Sequence, residues 1–431
     1  MTADRIRIGI VLGTDFKGRE GGGSQPTMRI FLKFACQRPF DIFLLGMSTC
    51  EEEPVGKVSK RVIYGREYPF IPLFFHDIAR YANRKPLVPV RIQTFMAYLF
   101  RRKLVDDLRL DVLYLNAPQS LPFFWFKQQP ILYHMHNPQG AEIHYARYAI
   151  ARTKAFGYLY NKVVQKILET ADEFVVIDHE SYELYTRRVP ARRDRFHLLP
   201  TSIDNDEFRP ISGFDRRETR RQFGLPAEGK VLLCVGRLAW KKGVDLVIRA
   251  FAQVTSQLSD TYLAIAGEGD ERAKLQKLVQ ELSLTRKVFF LGYIPQLPSP
   301  DLPCLYNCSD ALVFGSLHES LALVLAEALA CGKPVISTPV GIAPQVIEEG
   351  VTGFLLRSRE PEEMAARIVQ VIRDGQYSSD ACVAAAGNYA GASSQICDVI
   401  QSMYSRDHHI LQAHSDSAFP SLTKSVDVTP K

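Results

Sequence analysis

The chain has 431 residues, of which 46% are hydrophobic and 23% charged, as in a globular protein long enough for two or three domains. No apolar run reaches the roughly 18 residues that a bilayer-spanning helix needs. The first apolar run is followed too soon by Asp15 and Lys17 to be a signal peptide, so we expect a cytoplasmic protein. The net charge of +6 and the pI near 8.8 fit anionic partners: phosphorylated small molecules, anionic lipid or nucleic acid.

The first half of the chain alternates short apolar runs with helical patterns. Strands are predicted at residues 6–13, 41–46, 111–116, 130–136 and 173–178, and helices near 26–37, 91–109, 140–170 and 179–188. Strands that are apolar on both faces, each followed by a helix, predict a parallel sheet that is covered on both sides.

A stretch rich in Pro, Asp and Ser at residues 198–215 predicts a linker, after which the pattern restarts. Strands are then predicted at 230–236, 261–267, 287–292, 310–315, 333–338 and 353–356, and helices near 243–258, 270–283, 321–331 and 360–374. The fold class is therefore α/β, with two doubly wound Rossmann-like domains around a cleft at the carboxyl ends of their strands. We place these domains at residues 1–205 and 206–376, further helices at 377–405 and a disordered tail at 406–431.

Two short patterns raise the question of a metal site. Cys304 and Cys308 are close in sequence, but no second pair or nearby His accompanies them, which favours reduced, buried thiols. Asp204 and Asp206 form an Asp-x-Asp pattern that binds divalent metal in many sugar-nucleotide enzymes. The same pattern also caps and turns chains, and both interpretations stay open on the residues alone.

The segment VGRLAWKKG (235–243) connects a predicted strand to a predicted helix. Arg237 and Lys242 lie in this connection, where both can reach a ligand above the positive helix N-terminus. A guanidinium fork and a lysine charge suit a diphosphate. The alternative is two solvated basic residues in an ordinary loop.

The first predicted domain offers a glycine-rich loop and a histidine. Gly22 and Gly23 precede a helix and would let the backbone approach a phosphate or a sugar, although the loop lacks a GxGxxG dinucleotide fingerprint. His134 and His136 share one face of a strand, and His136 is nearer the cleft. A flexible loop and a structural histidine are the alternatives.

The segment HESLALVLAEALACGKPV (318–335) carries two acids eight positions apart, Glu319 and Glu327. With a helix starting near Leu321, Glu319 lies at its positive end and Glu327 roughly 9 Å further along at about 1.5 Å per residue. Each carboxylate can accept hydrogen bonds from neighbouring hydroxyls of a sugar ring. The alternative is a helix-start acid and a rim-exposed one.

The pattern of Glu319, seven residues and Glu327, followed by ALACGKPVISTPVG, resembles the donor site of retaining glycosyltransferases of family 4, which have the GT-B fold. VGRLAWKKG, LAIAGEGDERAKL, FFLGYIP and VIEEGVTGFLL are similar to the segments of that family in the same order. The resemblance covers residues from about 5 to 405 and is most specific between 231 and 356.

The resemblance implies a role for each candidate residue. Arg237 and Lys242 would hold the nucleotide diphosphate, Glu327 the ribose and Glu319 the transferred sugar, with Asp204 in a structural turn and no metal required. His136 and the Gly22–Gly23 loop would close the site from the first domain. The donor would also be lined by Gly292, Ser320, Leu321 and Leu323.

The sequence departs from the family at several positions. Thr201 and Ser202 stand where Asn-Gly is usual, and Gln345 stands where Glu is common. Ser320 to Ala322 replace the usual Gly-Phe-Gly and put the sugar specificity in question. A phosphorylase, an epimerase or a non-catalytic nucleotide-sugar-binding protein are the rival functions, and no nucleic-acid module is recognised.

Residues 69–103 mix aromatic side chains with Arg and Lys, and SLPFFWFK (120–127) is strongly aromatic. One interpretation is a surface that docks on anionic lipid at the inner membrane face and receives a lipid-linked acceptor. The other is an apolar core with ordinary solvated charges.

Overall fold

The structure is a computed structural model that describes residues 5–12, 16, 24–76, 90–116, 120–135, 154–294, 301–375, 377–389 and 391–418. Within these ranges the chain builds two parallel β-sheets, each covered by helices on both faces. No helix in the described ranges is both long and apolar enough to cross a bilayer.

The first half contains the strands β1 (Ile6–Val11), β2 (Phe40–Ser48), β3 (Ser59–Ile63), β4 (Arg66–Phe75), β5 (Val112–Leu115), β6 (Ile131–Met135), β7 (Glu173–Val176) and β8 (Phe196–Leu198). Its helices are α1 (Ser24–Ala35), α2 (Val90–Phe100), α3 (Arg102–Asp106), α4 (Leu121–Trp125), α5 (Lys154–Thr170) and α6 (His179–Arg188), with a 3₁₀ helix at Pro190–Arg195.

The first sheet has the strand order β3-β4-β2-β1-β5-β6-β7-β8, and all its pairs are parallel except the β3–β4 hairpin. Helices α2, α4 and α5 cover one face, where Tyr98, Phe123 and Ile167 join the core. Helix α1 covers the other face with Met28 and Phe31. The described elements therefore form the three-layer arrangement that the apolar strands predict.

The second half contains the strands β9 (Lys230–Val235), β10 (Thr261–Ala266), β11 (Val288–Gly292), β12 (Ala311–Phe314), β13 (Val335–Ser337) and β14 (Gly353–Leu355). Its helices are α7 (Arg216–Gln222), α8 (Val244–Thr255), α9 (Arg272–Glu281), α10 (Asp301–Cys308), α11 (Leu323–Ala330), α12 (Ala343–Val346), α13 (Pro361–Asp374), α14 (Ser379–Ala386) and α15 (Ala392–Ala418), with 3₁₀ helices at Trp240–Lys242 and Gly387–Tyr389.

The second sheet is parallel throughout, with the order β11-β10-β9-β12-β13-β14. The chain moves outward from β9 in one direction and returns to place β12 on the other side. The topological switch point thus lies between β9 and β12, and ligands of doubly wound folds bind at the carboxyl ends of the strands there.

Helix α8 shows why the sequence forms this layer. Val244, Val247, Ile248 and Phe251 follow the i, i+3, i+4, i+7 spacing of one helix face and are all buried against the sheet. The polar residues between them, such as Asp245, remain exposed. The helix is thereby fixed at the loop that follows β9.

The last helix, α15, returns to the first sheet, where Ile396, Ile400 and Met403 pack into the same cluster as α1. The chain therefore passes between the sheets twice, once between β8 and α7 and again between α14 and α15. These two crossings touch: Ile203 N–H donates to the Tyr389 carbonyl at 2.8 Å, and Ser393 N–H donates to Ser202 Oγ at 3.1 Å.

Three features of this fold differ from the sequence-based prediction. Strands β3, β4 and β8 lie where no strand was predicted, and residues 69–75 form most of β4, which agrees with the apolar-core interpretation for this part of 69–103. Helix α15 continues to Ala418, past residue 406 at which the predicted tail begins. The short helices α7, α10 and α12 were also not predicted.

Candidate functional site

The loops after β9 and β12 lie against each other at the switch point of the second sheet. A Cβ atom on Gly243 would stand 2.0 Å from the Gly315 carbonyl oxygen, and one on Gly315 would stand 2.6 Å from the Gly243 oxygen. Neither position has space for a side chain. The two glycines therefore let both loops converge on one point at the carboxyl edge of the sheet.

Lys242 and Glu319 form an ion pair across these loops. Lys242 Nζ lies 2.5 Å from Glu319 Oε1, and both side chains are mostly buried, with 18% and 13% of their surface exposed. Ser316 Oγ donates to the same carboxylate oxygen at 2.8 Å. The carboxylate is held on one side, and the lysine has donor capacity left for a second anion.

The backbone below this pair is braced from two further elements. Thr338 Oγ1 donates to the Ser316 carbonyl at 2.7 Å, from the residue after β13. Arg359 Nη1 donates to the Gly315 carbonyl at 2.8 Å and to that of Ser316 at 3.1 Å. These contacts hold the loop that carries Glu319 in one conformation.

Two large side chains of the β9–α8 loop project away from this braced core. Arg237 is exposed, and within the described ranges its guanidinium has no acidic partner. Trp240 is 70% exposed and comes directly before Lys241 and Lys242. Arg237 and Lys242 lie in the same loop, and the Lys242 ammonium uses only one of its N–H groups on Glu319. Together they provide positive charge for an anionic ligand.

Glu327 is buried in α11, with 6% of its surface exposed. Tyr306 of α10, itself 1% exposed, donates its hydroxyl to Glu327 Oε2 at 2.8 Å. Burial raises the pKa of Glu327 to about 7, although the Tyr306 hydrogen bond opposes this shift. Glu327 is therefore not a rim-exposed acid, and the hydrogen bond from Tyr306 does not offset the cost of burying its charge.

The turn between Glu319 and α11 contains backbone strain. Ala322 has φ 60° and ψ 56°, the left-handed conformation that residues with a Cβ avoid. Its neighbour Leu321 accepts a hydrogen bond from Ile342 N–H at 2.9 Å, and Gly341 packs so closely that a Cβ there would stand 2.3 Å from the Leu321 oxygen. Helix α11 begins at Leu323, two residues later than predicted, so Glu319 lies in the loop and not in the first helical turn.

The remaining predicted site residues divide into two groups. Gly292 ends β11 and Ser320 follows Glu319 in the loop, so both lie at the carboxyl edge of the second sheet with Leu321 and Leu323. Three predicted residues, Gly22, Gly23 and His136, fall outside the described ranges. Their contribution to the site stays a prediction.

The Asp-x-Asp segment is occupied by a lysine. Lys33 of α1 approaches both carboxylates, at 2.6 Å from Asp204 and 2.7 Å from Asp206. Asp204 also accepts from Asp206 N–H at 3.1 Å, which closes a local turn. Across the described ranges no group of three or more His, Cys, Asp or Glu side chains is arranged to hold a metal ion.

The family model described as glycosyl transferases group 1 matches residues 215–387. These residues, called the group 1 domain below, are therefore similar to a glycosyltransferase of group 1. The match contains the whole of the site described above, from Arg237 to Arg359. It therefore supports the resemblance drawn from the residues around Glu319 and Glu327.

Curated relatives of the group 1 domain include D-inositol 3-phosphate glycosyltransferases. That of Corynebacterium jeikeium is 30% identical over 217 residues, which are 49% of this chain and 51% of the relative. That of Mycobacterium leprae is 34% identical over 217 residues, 48% of each chain. The chain spans about half the length of the curated relatives it matches.

Solved structures resemble nearly the whole chain at low identity. Sucrose-phosphate synthase of Thermosynechococcus elongatus has a TM-score of 0.72 and 21% identity, over 93% of this chain and all of the other. HepE of Anabaena, solved with UDP-glucose, has a TM-score of 0.63 and 19% identity over 95% of this chain and all of the other. The fold that the group 1 domain completes with the first sheet is GT-B, as predicted.

Four side chains that support the predicted residues of the group 1 domain were missed: Tyr306, Ser316, Thr338 and Arg359. The buried carboxylate of Glu327 implies that some side chain donates a hydrogen bond to it, but the sequence does not indicate which side chain. Tyr306 lies in a helix whose pattern is otherwise that of a core element. Ser316 had a detectable signal, because it stands three residues before Glu319 in a loop after a strand.

Proposed function

We propose that the protein transfers a sugar from a nucleotide diphosphate sugar to an acceptor hydroxyl and retains the anomeric configuration. The observation that carries this proposal is the ion pair of Lys242 and Glu319 at the switch point, in the same half of the chain as exposed Arg237 and buried Glu327. Two cations and two carboxylates in this arrangement suit a ligand with a diphosphate flanked by two sets of sugar hydroxyls.

In the proposed complex, Arg237 and Lys242 bind the diphosphate. Lys242 has three N–H donors, so it can keep Glu319 and still donate to a phosphate oxygen. Glu327 accepts from the ribose hydroxyls, and Glu319 accepts from the sugar that is transferred. HepE and the trehalose-6-phosphate protein of E. coli were solved with UDP-glucose and UDP-2-fluoro glucose, which makes UDP-sugars the first donors to test.

The reaction needs stabilisation of the charge that develops on the leaving diphosphate. In the proposed complex, Arg237, Lys242 and the N-terminus of α8 would face that charge, and fixed positive groups lower the barrier most when they need no reorganisation. We propose front-face attack, in which the leaving phosphate accepts the proton of the acceptor hydroxyl. Closure of the two sheets around the donor, with His136 and the Gly22–Gly23 loop on the opposite wall, would limit hydrolysis.

The reaction requires only that the acceptor carries a free hydroxyl. We propose a glycan, a glycolipid or a lipid-linked saccharide as the acceptor. Ser320 and Ala322 stand beside Glu319, so their side chains limit the space next to the transferred sugar. We propose that these two positions contribute to the choice of sugar, and that the domain boundaries follow the two sheets and the returning helix α15.

The test uses Arg237→Ala and Lys242→Ala in the full chain. A panel of nucleotide diphosphates and their sugars is first screened by thermal shift, because a bound donor stabilises the folded protein. Each variant should then lose about 2–3 kcal/mol of transition-state stabilisation, which is roughly 30–150-fold in kcat/KM. Arg217→Ala and Lys274→Ala are matched controls, since these side chains are 66% and 75% exposed and lie outside the site.

Full activity in both site variants would contradict the assignment of the site. Phosphate-dependent cleavage of a saccharide would instead identify a phosphorylase, and formation of an epimer without acceptor would identify an epimerase. Donor binding without transfer or hydrolysis would identify a non-catalytic binding protein.

A further inference from the structure

Helix α2 has an exposed apolar face. Ile92, Met96 and Phe100 recur every four residues and are 51%, 40% and 73% exposed. Trp125 and Phe126, at the end of α4, are 49% and 50% exposed. We call these five side chains the apolar stripe.

A ring contact joins the two helices that carry the stripe. The rings of Phe95 and Trp125 lie 5.8 Å apart edge to face, which joins α2 to α4. On the inner side of α2, Thr94 and Tyr98 are each 1% exposed. The stripe is therefore the outer face of elements whose inner face already belongs to the core, and folding leaves it uncovered within the described part of the chain.

Cationic side chains border the stripe. The Arg102 guanidinium lies 4.7 Å from the centre of the Phe126 ring and donates to the Phe126 carbonyl at 2.5 Å. Arg101 and Lys103 flank it, and neither has an acidic partner among the residues described. Lys127 completes this border.

Two of the three acids nearby are engaged, and the third, Asp107, is exposed at the end of α3. Asp106 lies 3.5 Å from Arg102, and Asp172 lies 2.6 Å from Lys127. Helix α5 adds Lys162 and Lys166, against the single acid Glu169 at its end. The border of the stripe thus has an excess of positive charge.

We propose that the apolar stripe and its cationic border dock the protein on the surface of an anionic lipid bilayer. Aromatic and aliphatic side chains that enter the headgroup region, with Arg and Lys beside them, are what such an interface binds. A second copy of the chain would bring two cationic borders together. A lipid surface with negative headgroups complements both the apolar and the charged parts.

Docking by this face sets the position of the cleft. Helix α2 lies on the crossover from β4 to β5, which are both parallel to the central strands, so it returns the chain from the carboxyl edge of the sheet to the amino edge. Ile92 lies toward the carboxyl edge, where the cleft opens, and Phe100 toward the other edge. A docked chain therefore presents the cleft rim beside the lipid headgroups.

The chain contains two tryptophans, Trp125 in the stripe and Trp240 in the cleft, which provides a direct probe. In the Trp240→Phe variant, the fluorescence of Trp125 should shift to the blue on addition of vesicles of phosphatidylglycerol and phosphatidylcholine. Vesicles of phosphatidylcholine alone should produce no shift. Co-sedimentation should fall as salt rises from about 50 to 300 mM, because exposed charges are screened over roughly 10 Å at 0.1 M salt.

Variants separate the apolar from the cationic contribution. Met96→Ser with Phe100→Ser should weaken partitioning by at least about tenfold, and Arg101→Gln with Lys103→Gln by roughly fivefold for each charge. Leu184→Ser with Leu198→Ser is the matched control, since these leucines are 45% and 40% exposed and lie in α6 and in β8, the edge strand at the other end of the sheet from β4, against which α2 packs. This control should bind vesicles as the parent chain does.

Three results would overturn the proposal: no blue shift and no co-sedimentation at low salt, equal binding to neutral vesicles, or binding that the Met96→Ser with Phe100→Ser variant retains in full. Concentration-dependent self-association that this variant abolishes, without vesicle binding, would assign the stripe to a dimer instead. Vesicle binding is measured without donor or acceptor, so its failure is independent of the transferase test.

Discussion

Replacing Glu327 by Gln is expected to make the ligand-free protein more stable at alkaline pH. The carboxylate is buried, and its pKa is raised from 4.5 to about 7 because burial disfavours the charged form. Below pH 4.5 it is protonated in both the folded and the unfolded chain. As the pH rises from 4.5 to about 7, the unfolded chain releases the proton first, so the free energy of unfolding falls. Above about pH 7 it stays at this lower value.

The size of this loss follows from the pKa shift. One pKa unit corresponds to about 1.4 kcal/mol, so a group raised to about 7 lowers stability at pH 8 by about 3 kcal/mol. Gln removes the charge and keeps an oxygen that can accept the Tyr306 hydroxyl. At pH 8 the Glu327→Gln variant should therefore regain most of that free energy, which is several degrees in Tm at roughly 2–4 °C per kcal/mol.

The assay is thermal unfolding of the ligand-free chain and of Glu327→Gln at pH 5 and pH 8. The variant should gain stability at pH 8 and little or none at pH 5. Glu281→Gln is the control, because Glu281 also lies on a helix but is 57% exposed, and it should show no such pH dependence. UDP should raise the Tm of the variant less than that of the parent chain, because the charged ribose acceptor is lost.

Equal effects of Glu327→Gln at the two pH values would refute the reasoning. So would destabilisation at pH 8, because it would mean that the ionised carboxylate is satisfied by the protein. In that case Glu327 would be a structural acid, and its proposed role as the acceptor of the ribose hydroxyls would be wrong.

Two further predictions concern stability away from the charged ligand groups. Ala322→Gly should stabilise the ligand-free chain by up to about 1 kcal/mol in thermal unfolding, because it relieves a left-handed backbone at φ 60°. Ala326→Gly, in the interior of the helix α11 that follows, should destabilise by about 1 kcal/mol, and a change of the same sign in both variants would contradict this explanation. Lys33→Met should destabilise by about 3 kcal/mol in denaturant unfolding, since it leaves Asp204, 3% exposed, without its cation. Lys274→Met removes a lysine that is 75% exposed and should change stability by less than about 0.5 kcal/mol; an equal effect of both lysine variants would mean that the buried carboxylate does not need its partner.

The architecture was readable from the sequence because parallel strands in a covered sheet are apolar along their whole length. Strands such as β9 and β12 follow this rule and were predicted within one or two residues. Strand β4 contains Pro69 and Pro72 and a run of aromatic residues, so its pattern does not distinguish a strand from a surface segment. The sequence feature that indicates strand β4 is Gly65, which allows a tight hairpin turn between β3 and β4. In the structure Tyr64 and Gly65 form that turn, with φ of 50° and 72°.

The site was predictable as separate residues but not as a set of contacts. Lys242 and Glu319 are 77 positions apart, and only the strand order places β9 next to β12 and brings the two side chains together. Tyr306 could not be identified as the partner of Glu327, because a buried tyrosine on an apolar helix face is ordinary core. The left-handed backbone of Ala322 could not be predicted from the conformational preference of alanine, because tertiary contacts of Leu321 and Gly341 impose a conformation that alanine disfavours.

The two chain crossings that touch at Tyr389 and Ser202 have a mechanical consequence. Two adjacent connections between rigid bodies act as a hinge: they permit rotation about the line that joins them, and they oppose sliding and twisting. The hydrogen bonds from Ile203 and Ser393 fix that axis at the two crossings. Opening and closing would then be a single rotational degree of freedom, so that a donor held on the second sheet meets the first sheet in the same register each time the halves come together.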